Sequence, residues 1–409
     1  MTSSASRPLW QGRALALVGI VLFAFSLRTA VASLSPVLPQ VQGEFPVPAV
    51  VVGLIGTAPP VCYAVFGLLT PLLERRFGLE KLALAAMIVA AAGMVFRALA
   101  VDAGTLLLAT TAIFAAVGVG NILLPPLVKQ YFPDRIGLLT TVYSTAMAVA
   151  TFTPPLVAVP VADAAGWRAS LGLWSVFSLL ATIPWIAMLV RRRSGTAEVD
   201  VEEASPAALG RMWRLTTAWA LVVGFTVSGV LAYTAFAWLP TILQDLSGVS
   251  PATAGALLSL FAAMGLPCSL LVPVLVVRYH ATGVLFGVSV VSGLAGVAGL
   301  LFAPAAAPVL WVVLFGTAPL LFPLTMVLLG LRARDPETAV ALSSFVQSVG
   351  YGIVAFFPVG IGLVHDATDG WTLPLLMLAV VIAAAIPAGV VAARRGTVED
   401  EWERRYGAW

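Results

Sequence analysis

A chain of 409 residues that is 60% hydrophobic and 10% charged stands far from the roughly 25% charge of a soluble domain. It reads as an integral membrane protein, and a formal net charge of +3 follows from topology rather than from nucleic acid. Two cysteines, Cys62 and Cys268, each inside an apolar run, argue against a disulfide framework.

The leader Met1–Gly12 is short and polar, and the run after it is longer than a signal core, so no cleaved signal is expected. Apolar runs separated by polar breaks predict twelve spans of about 20 residues or more. They are 14–39, 49–73, 82–101, 105–128, 138–161, 169–190, 215–239, 252–277, 283–303, 308–331, 338–363 and 372–393. Such long, uniformly apolar runs exclude alternating barrel strands. The expected fold class is an all-α membrane protein, with twelve transmembrane helices in two pseudo-symmetric six-helix halves.

Span one carries Arg28 near its middle, in Ser26-Leu27-Arg28-Thr29. A cation there costs at least ~2.5–3.5 kcal/mol on insertion scales, so it is expected to face a cavity or a partner. Arginine also stays charged and presents a planar fork, which suits a small planar anion. The structural alternative is an arginine satisfied by carbonyls of broken helices.

Charges in the breaks alternate. Arg75, Arg76, Lys81, Lys129, Arg135, Arg278, Arg332 and Arg334 mark one side; Arg97 and Arg168 are the basic residues of the other. The positive-inside rule then puts both termini in the cytoplasm. The polar stretch 191–214 is a cytoplasmic linker, between a half at 1–190 and a half at 215–393, with a tail at 394–409. Lys129, Asp134 and Arg135 read as charges that latch cytoplasmic ends.

The halves repeat each other. Val37-Leu38-Pro39 at the end of span one matches Trp238-Leu239-Pro240 at the end of span seven, and Gly166-Trp167 matches Gly370-Trp371. Six-span repeats about a linker are a transporter signature, with solute held near the midplane.

Several stretches together resemble the major facilitator superfamily, and within it the cyanate and 2-nitroimidazole porter branch. They are Leu27-Arg28 with Ser35-Pro36-Val37-Leu38-Pro39; Gly120-Asn121-Ile122-Leu123-Leu124-Pro125 with Lys129; Gly166-Trp167-Arg168; Tyr233 with Trp238-Leu239-Pro240; and Phe345-Val346-Gln347-Ser348-Val349-Gly350-Tyr351 with Leu363-Val364-His365-Asp366. The branch usually has Asn where this chain has Ser26, Gln-Ser where it has Ser228-Gly229, and Gly where it has Ser35. The resemblance implies a secondary or facilitative carrier of a small anionic or flat polar solute across the inner membrane by alternating access.

Around Arg28 the expected solute-binding residues are Tyr63, Asn121, Tyr143, Tyr233, Gln347 and Tyr351. Gln347 and Tyr351 share a face with Ser343 or Ser344 by helical spacing, and Tyr143 matches Gln347 when Trp167 and Trp371 are superposed. Interhelical hydrogen bonding is the structural alternative for each. No phosphate loop, metal cluster or nucleophile triad is written in the chain, so neither enzyme nor cofactor is expected. The expected partners are a small-molecule substrate and the lipid bilayer, with no nucleic acid, and the carrier is expected to be a monomer. Two other readings stay open: a drug or metabolite exporter with a broad apolar cavity, and a non-transporting receptor. Every Asp and Glu falls in a predicted loop or tail, and His280 and His365 fall at span ends. That favours facilitation, or a proton carried on the substrate itself.

Overall fold

The computed structural model describes residues 13–132, 135–191, 210–334, 336–407 and 409. Most of the 191–214 linker and Asp134 therefore lie outside the described residues, as does the side chain of Lys129.

Helices make up most of the described residues, and no strand occurs among them. Its helices are α1 (Ala14–Thr29), α2 (Leu38–Gln42), α3 (Ala49–Phe77), α4 (Leu79–Ala98), α5 (Ala103–Tyr131), α6 (Ile136–Gly172) and α7 (Ser175–Arg191). They continue as α8 (Thr216–Ser247), α9 (Pro251–Ala263), α10 (Gly265–Tyr279), α11 (Thr282–Phe302), α12 (Pro308–Thr317) and α13 (Leu321–Leu331). The last five are α14 (Pro336–Val354), α15 (Phe356–Thr368), α16 (Thr372–Ala383), α17 (Ala385–Ala392) and α18 (Val398–Tyr406).

Among the described residues, ten helical stretches are long and apolar enough to cross a bilayer. One of them, Val142–Val190, has 49 residues, enough for two crossings. Gly166 divides it, with φ 84° and ψ 155°, a conformation that a side chain resists. The shorter apolar helix α1 supplies the first crossing, so the twelve expected spans are all present. Pairs such as α9–α10 and α16–α17 are single spans bent at one residue.

Span one departs from the expected unbroken helix. α1 stops at Thr29, residues 30–34 are non-helical, and a 3-10 turn at Ser35–Val37 leads into α2. The sequence explains the break. Pro36 disfavours helix at Ser35, Pro36 and Pro39 donate no N–H, and the Ser33 hydroxyl bonds back to the Ala30 carbonyl. Sixteen residues of helix reach only about 24 Å, short of a hydrocarbon core of about 30 Å. The unwound segment therefore lies at membrane depth, where such backbone survives only inside protein or against a water-filled cavity.

Two compact units form, one within Met1–Val47 and Cys62–Asp200, the other within Pro48–Val61 and Val201–Trp409. In the first unit α1 packs on α5, α6 and α7, and α4 on α5 and α7. Phe23, Leu27, Phe114 and Trp185 fill its centre. In the second unit α8 is central, touching α9, α13, α14 and α17, while α11 packs on α12, α16 and α17. The start of α3 belongs to this second unit. Thr57 Oγ1 donates to the Ala355 carbonyl at 2.7 Å, and a Cβ on Gly53 would meet Val359 Cα at 2.6 Å.

The tail is not a loose end. α18 opens on a capping box between Thr397 and Asp400. Arg334 forks onto Asp400 and Glu403, and Glu401 accepts the backbone N–H groups of Thr216 and Thr217 at 2.8 and 2.9 Å.

Candidate functional site

Arg28 sits half-buried in the last turn of α1, one residue before the helix stops. Its carbonyl already accepts the N–H groups of Ala30 and Val31. A cation at a helix C-terminus is favoured by the unsatisfied carbonyls there. The repeat shows that this break is particular to the arginine. Aligning Leu38-Pro39 with Leu239-Pro240 puts Gly229 opposite Arg28, and α8 runs unbroken from Thr216 to Ser247.

Three of the expected residues, Tyr63, Asn121 and Tyr143, belong to the same compact unit as Arg28. A Cβ on Gly120 would strike Leu27 Cδ2 at 2.4 Å, and one on Gly118 the Cys62 carbonyl oxygen at 2.8 Å. These contacts bring the backbone of α5 close to α1 and α3, and Asn121 follows Gly120 on α5. Tyr63 is buried, edge-on to Phe114 with ring centroids 6.4 Å apart. Tyr143 is half-buried on α6, which packs on α1.

The other three lie in the second unit, Tyr233 on α8 and Gln347 and Tyr351 on α14. Tyr351 stands edge-on to Phe225 at 4.9 Å, and Tyr233 edge-on to Phe236 at 6.4 Å. Gln347 is half-buried and donates through Nε2 to Ser343 Oγ at 2.7 Å, confirming that the two share a face. Ser26 and Ser228, where the branch usually carries amide groups, are buried and spend their hydroxyls on the carbonyls of Leu22 and Pro319. They are packing residues.

Arg97 was expected among loop charges. Instead it is wholly buried in the last turn of α4. Its Nη1 donates to the Ala30 carbonyl at 3.2 Å and its Nη2 to Ser33 Oγ at 2.9 Å, both in the unwound segment after Arg28. The signal in the sequence was its place inside the apolar run 82–101.

Each repeat also ties its first span to its Gly-Trp turn. Trp167 Nε1 donates to Glu44 at 2.9 Å, and Trp371 Nε1 to Asp245 at 2.8 Å. In the first unit Arg168 adds an ion pair to Glu44, which with the Trp167 bond holds that carboxyl below its usual range, and stacks over Trp167. The second unit has Thr372 there, and His365 stacks on Trp371 with centroids 3.9 Å apart. Among the described residues no group of three or more His, Cys, Asp or Glu is placed to hold a metal ion.

The Major Facilitator Superfamily model matches residues 18–356. The chain is 31% identical over 392 residues to the 2-nitroimidazole transporter of Escherichia coli K12, covering 94% of this chain and 96% of that one. It is 24% identical over 363 residues to the cyanate transport protein CynX of the same organism, covering 87% and 91%. The crystal structure of the nucleoside transporter NupG shares the fold at a TM-score of 0.71 and 12% identity, over 93% of this chain and 98% of that one. These matches make the protein a multi-pass membrane transporter of small solutes and not an enzyme. It belongs to the Major Facilitator Superfamily.

Proposed function

We propose that the protein moves a small anionic or flat polar solute across the bacterial plasma membrane by alternating access, with Arg28 as the cation that holds it. One observation carries this reading: α1 ends one residue after Arg28, part-way across the membrane. Irregular backbone at that depth survives only inside protein or against a water-filled cavity, and an arginine beside it presents a planar fork that suits an anion in bidentate fashion. Tyr63, Asn121, Tyr143, Tyr233, Gln347 and Tyr351 supply further polar groups along the solute's path. The transporter acts as a monomer, its two six-helix halves joined by the 191–214 linker, and both termini are cytoplasmic. Its likeness to transporters of 2-nitroimidazole and cyanate supports a flat, small cargo.

A solute panel in proteoliposomes tests the proposal. Saturable entry of cyanate or 2-nitroimidazole is expected, with competition by other small planar anions. Transport of large lipophilic cations alone would overturn it. That outcome is the second reading, a drug or metabolite exporter. It draws on Ser26 and Ser228, whose bonded hydroxyls leave no amide group where the related branch has them.

A further inference from the structure

We propose that Arg97 is a positioning residue of the solute site, pinning the unwound backbone after Arg28 and thereby fixing where the Arg28 guanidinium is presented. The inference rests on the reading of Arg28 as the solute-binding cation. Four observations carry it. Arg97 is fully buried although it sits on a different helix from Arg28. Its two terminal nitrogens reach the Ala30 carbonyl and Ser33 Oγ, two and five residues beyond Arg28. Ser33 Oγ also lies 3.4 Å from the Ala30 carbonyl, so the three groups close into one small network. Finally, Arg97 pairs with no carboxylate among the described residues, and its Nε has no partner.

A buried cation without a counter-ion is a costly way to fill space, and an apolar side chain would pack there more cheaply. What the guanidinium adds is a planar fork that spans two acceptors at a fixed separation. Without Arg97 the Ala30 carbonyl would keep only the long 3.4 Å bond from the Ser33 hydroxyl, and nothing from α4 would hold the segment against rewinding or shifting. Arg28 lies at the near end of that segment, so its aim depends on how firmly the far side is held. Such geometry matters to a bidentate contact, whose two hydrogen bonds weaken together as the fork turns away from its acceptors.

The test measures initial uptake of radiolabelled cyanate and of 2-nitroimidazole by the full-length protein in liposomes, for Arg97→Gln, Arg97→Lys, Ser33→Ala and Arg28→Ala. Folding of each is checked by size-exclusion chromatography in detergent. Arg97→Gln is expected to raise KM about tenfold, the change that one lost hydrogen bond to a charged group brings, with Vmax largely kept. Ser33→Ala should shift KM the same way by a smaller factor. Arg97→Lys should restore part of the loss, since a lysine reaches one acceptor but not both. A purely structural role would lower the yield of folded protein and leave KM alone. Unchanged KM in folded Arg97→Gln, or in Ser33→Ala if the former does not fold, overturns this inference alone, provided that Arg28→Ala abolishes uptake. Uptake that survives Arg28→Ala, or transport of neither probe by the unaltered protein, overturns the reading of Arg28 and this inference with it.

Discussion

Gln347 and Tyr351 lie one turn apart on α14, and their surroundings divide their tasks. The Gln347 amide donates to Ser343 within its own helix, and on the proposed reading its carbonyl oxygen and second N–H meet the solute. Tyr351 has its ring edge-on to Phe225, so removing the ring would open the packing while removing the hydroxyl would not. Gln347→Ala and Tyr351→Phe should each raise the apparent Kd for cyanate, roughly tenfold for every 1.4 kcal/mol lost. Titration calorimetry on detergent-purified protein reads this directly. An unchanged Kd in both would remove the α14 face from the site. The spacing put Gln347 and Tyr351 on one face with Ser343 or Ser344, and the Gln347 bond picks out Ser343. The role of Arg97 was not, because hydropathy treats a charge near a span boundary as a loop residue and carries no record of what that charge touches.

At the scale of elements, close approach and the folded tail make the clearest predictions. Gly53 has no room for a methyl group, with Val359 Cα at 2.6 Å and the Pro358 carbonyl oxygen at 2.9 Å from an added Cβ. Both obstacles are backbone, so Gly53→Ala should destabilise the protein by about 1–3 kcal/mol. A thermal melt in detergent would show it, and an unchanged Tm would mean that α15 yields easily.

α18 ties the N-terminus of α8 to the Arg332–Arg334 turn. Arg332 donates to the carbonyls of Ala392 and Gly396, and Arg334 pairs with Asp400 and Glu403. Burial pushes the Glu401 carboxyl up, but the Thr217 and Thr216 hydrogen bonds outweigh it and hold it below its usual value. The Thr397 N–H and the Arg334 guanidinium hold Asp400 down to about 2, and Arg334 lowers Glu403 as well. Carboxyls with depressed folded-state pKa values stabilise above their unfolded values of about 4 and lose that contribution as pH falls through the folded ones. Docking of α18 should therefore be complete at neutral pH and weaken progressively from about pH 4 toward pH 2. Fluorescence of Trp402, which lies under Arg211, reports it. A signal flat over that window would contradict the assignment. Glu401→Gln should lower the Tm at pH 7, since it removes the charge from two hydrogen bonds worth about 1.5 kcal/mol or more each.

The spans themselves were legible because about 20 apolar residues match the thickness of a bilayer. The break after Thr29 left no such trace, since an unwound apolar segment has the hydropathy of a helix. Ser33, Ser35, Pro36 and Pro39 were its marks. In the tail, Thr397 and Asp400 spelled a capping box that a short polar terminus hides.

For the whole molecule, the placement of carboxylates bears on how transport is driven. Proton-coupled carriers commonly use a membrane-embedded Asp, Glu or His as the relay. Here Asp245 lies near the end of α8, bonded to Trp371, and Glu80 lies in the first turn of α4, accepting from Tyr131 and Gln130. Both sit at span ends. An arginine does not serve as a relay, since its guanidinium is not deprotonated in proteins. The expectation is facilitation, or a proton that crosses on the substrate. An imposed pH gradient at fixed membrane potential should not drive a non-titrating solute above equilibrium. Accumulation that collapses with a protonophore would show that a protein group carries the proton.

The repeat, legible in Leu-Pro and Gly-Trp pairs, proves to be a mechanical match: Trp167 holds Glu44, and Trp371 holds Asp245. What the repeat does not share is the arginine and the break beside it. The central claim therefore rests on Arg28, and direct binding tests it best. Cyanate is titrated into detergent-purified protein that carries Arg28→Ala or Arg28→Lys and melts like the unaltered chain. The account predicts no detectable binding for Arg28→Ala. It predicts strongly weakened binding for Arg28→Lys, because a point charge lacks the bidentate fork. Binding of unchanged affinity by a well-folded Arg28→Ala protein would contradict it.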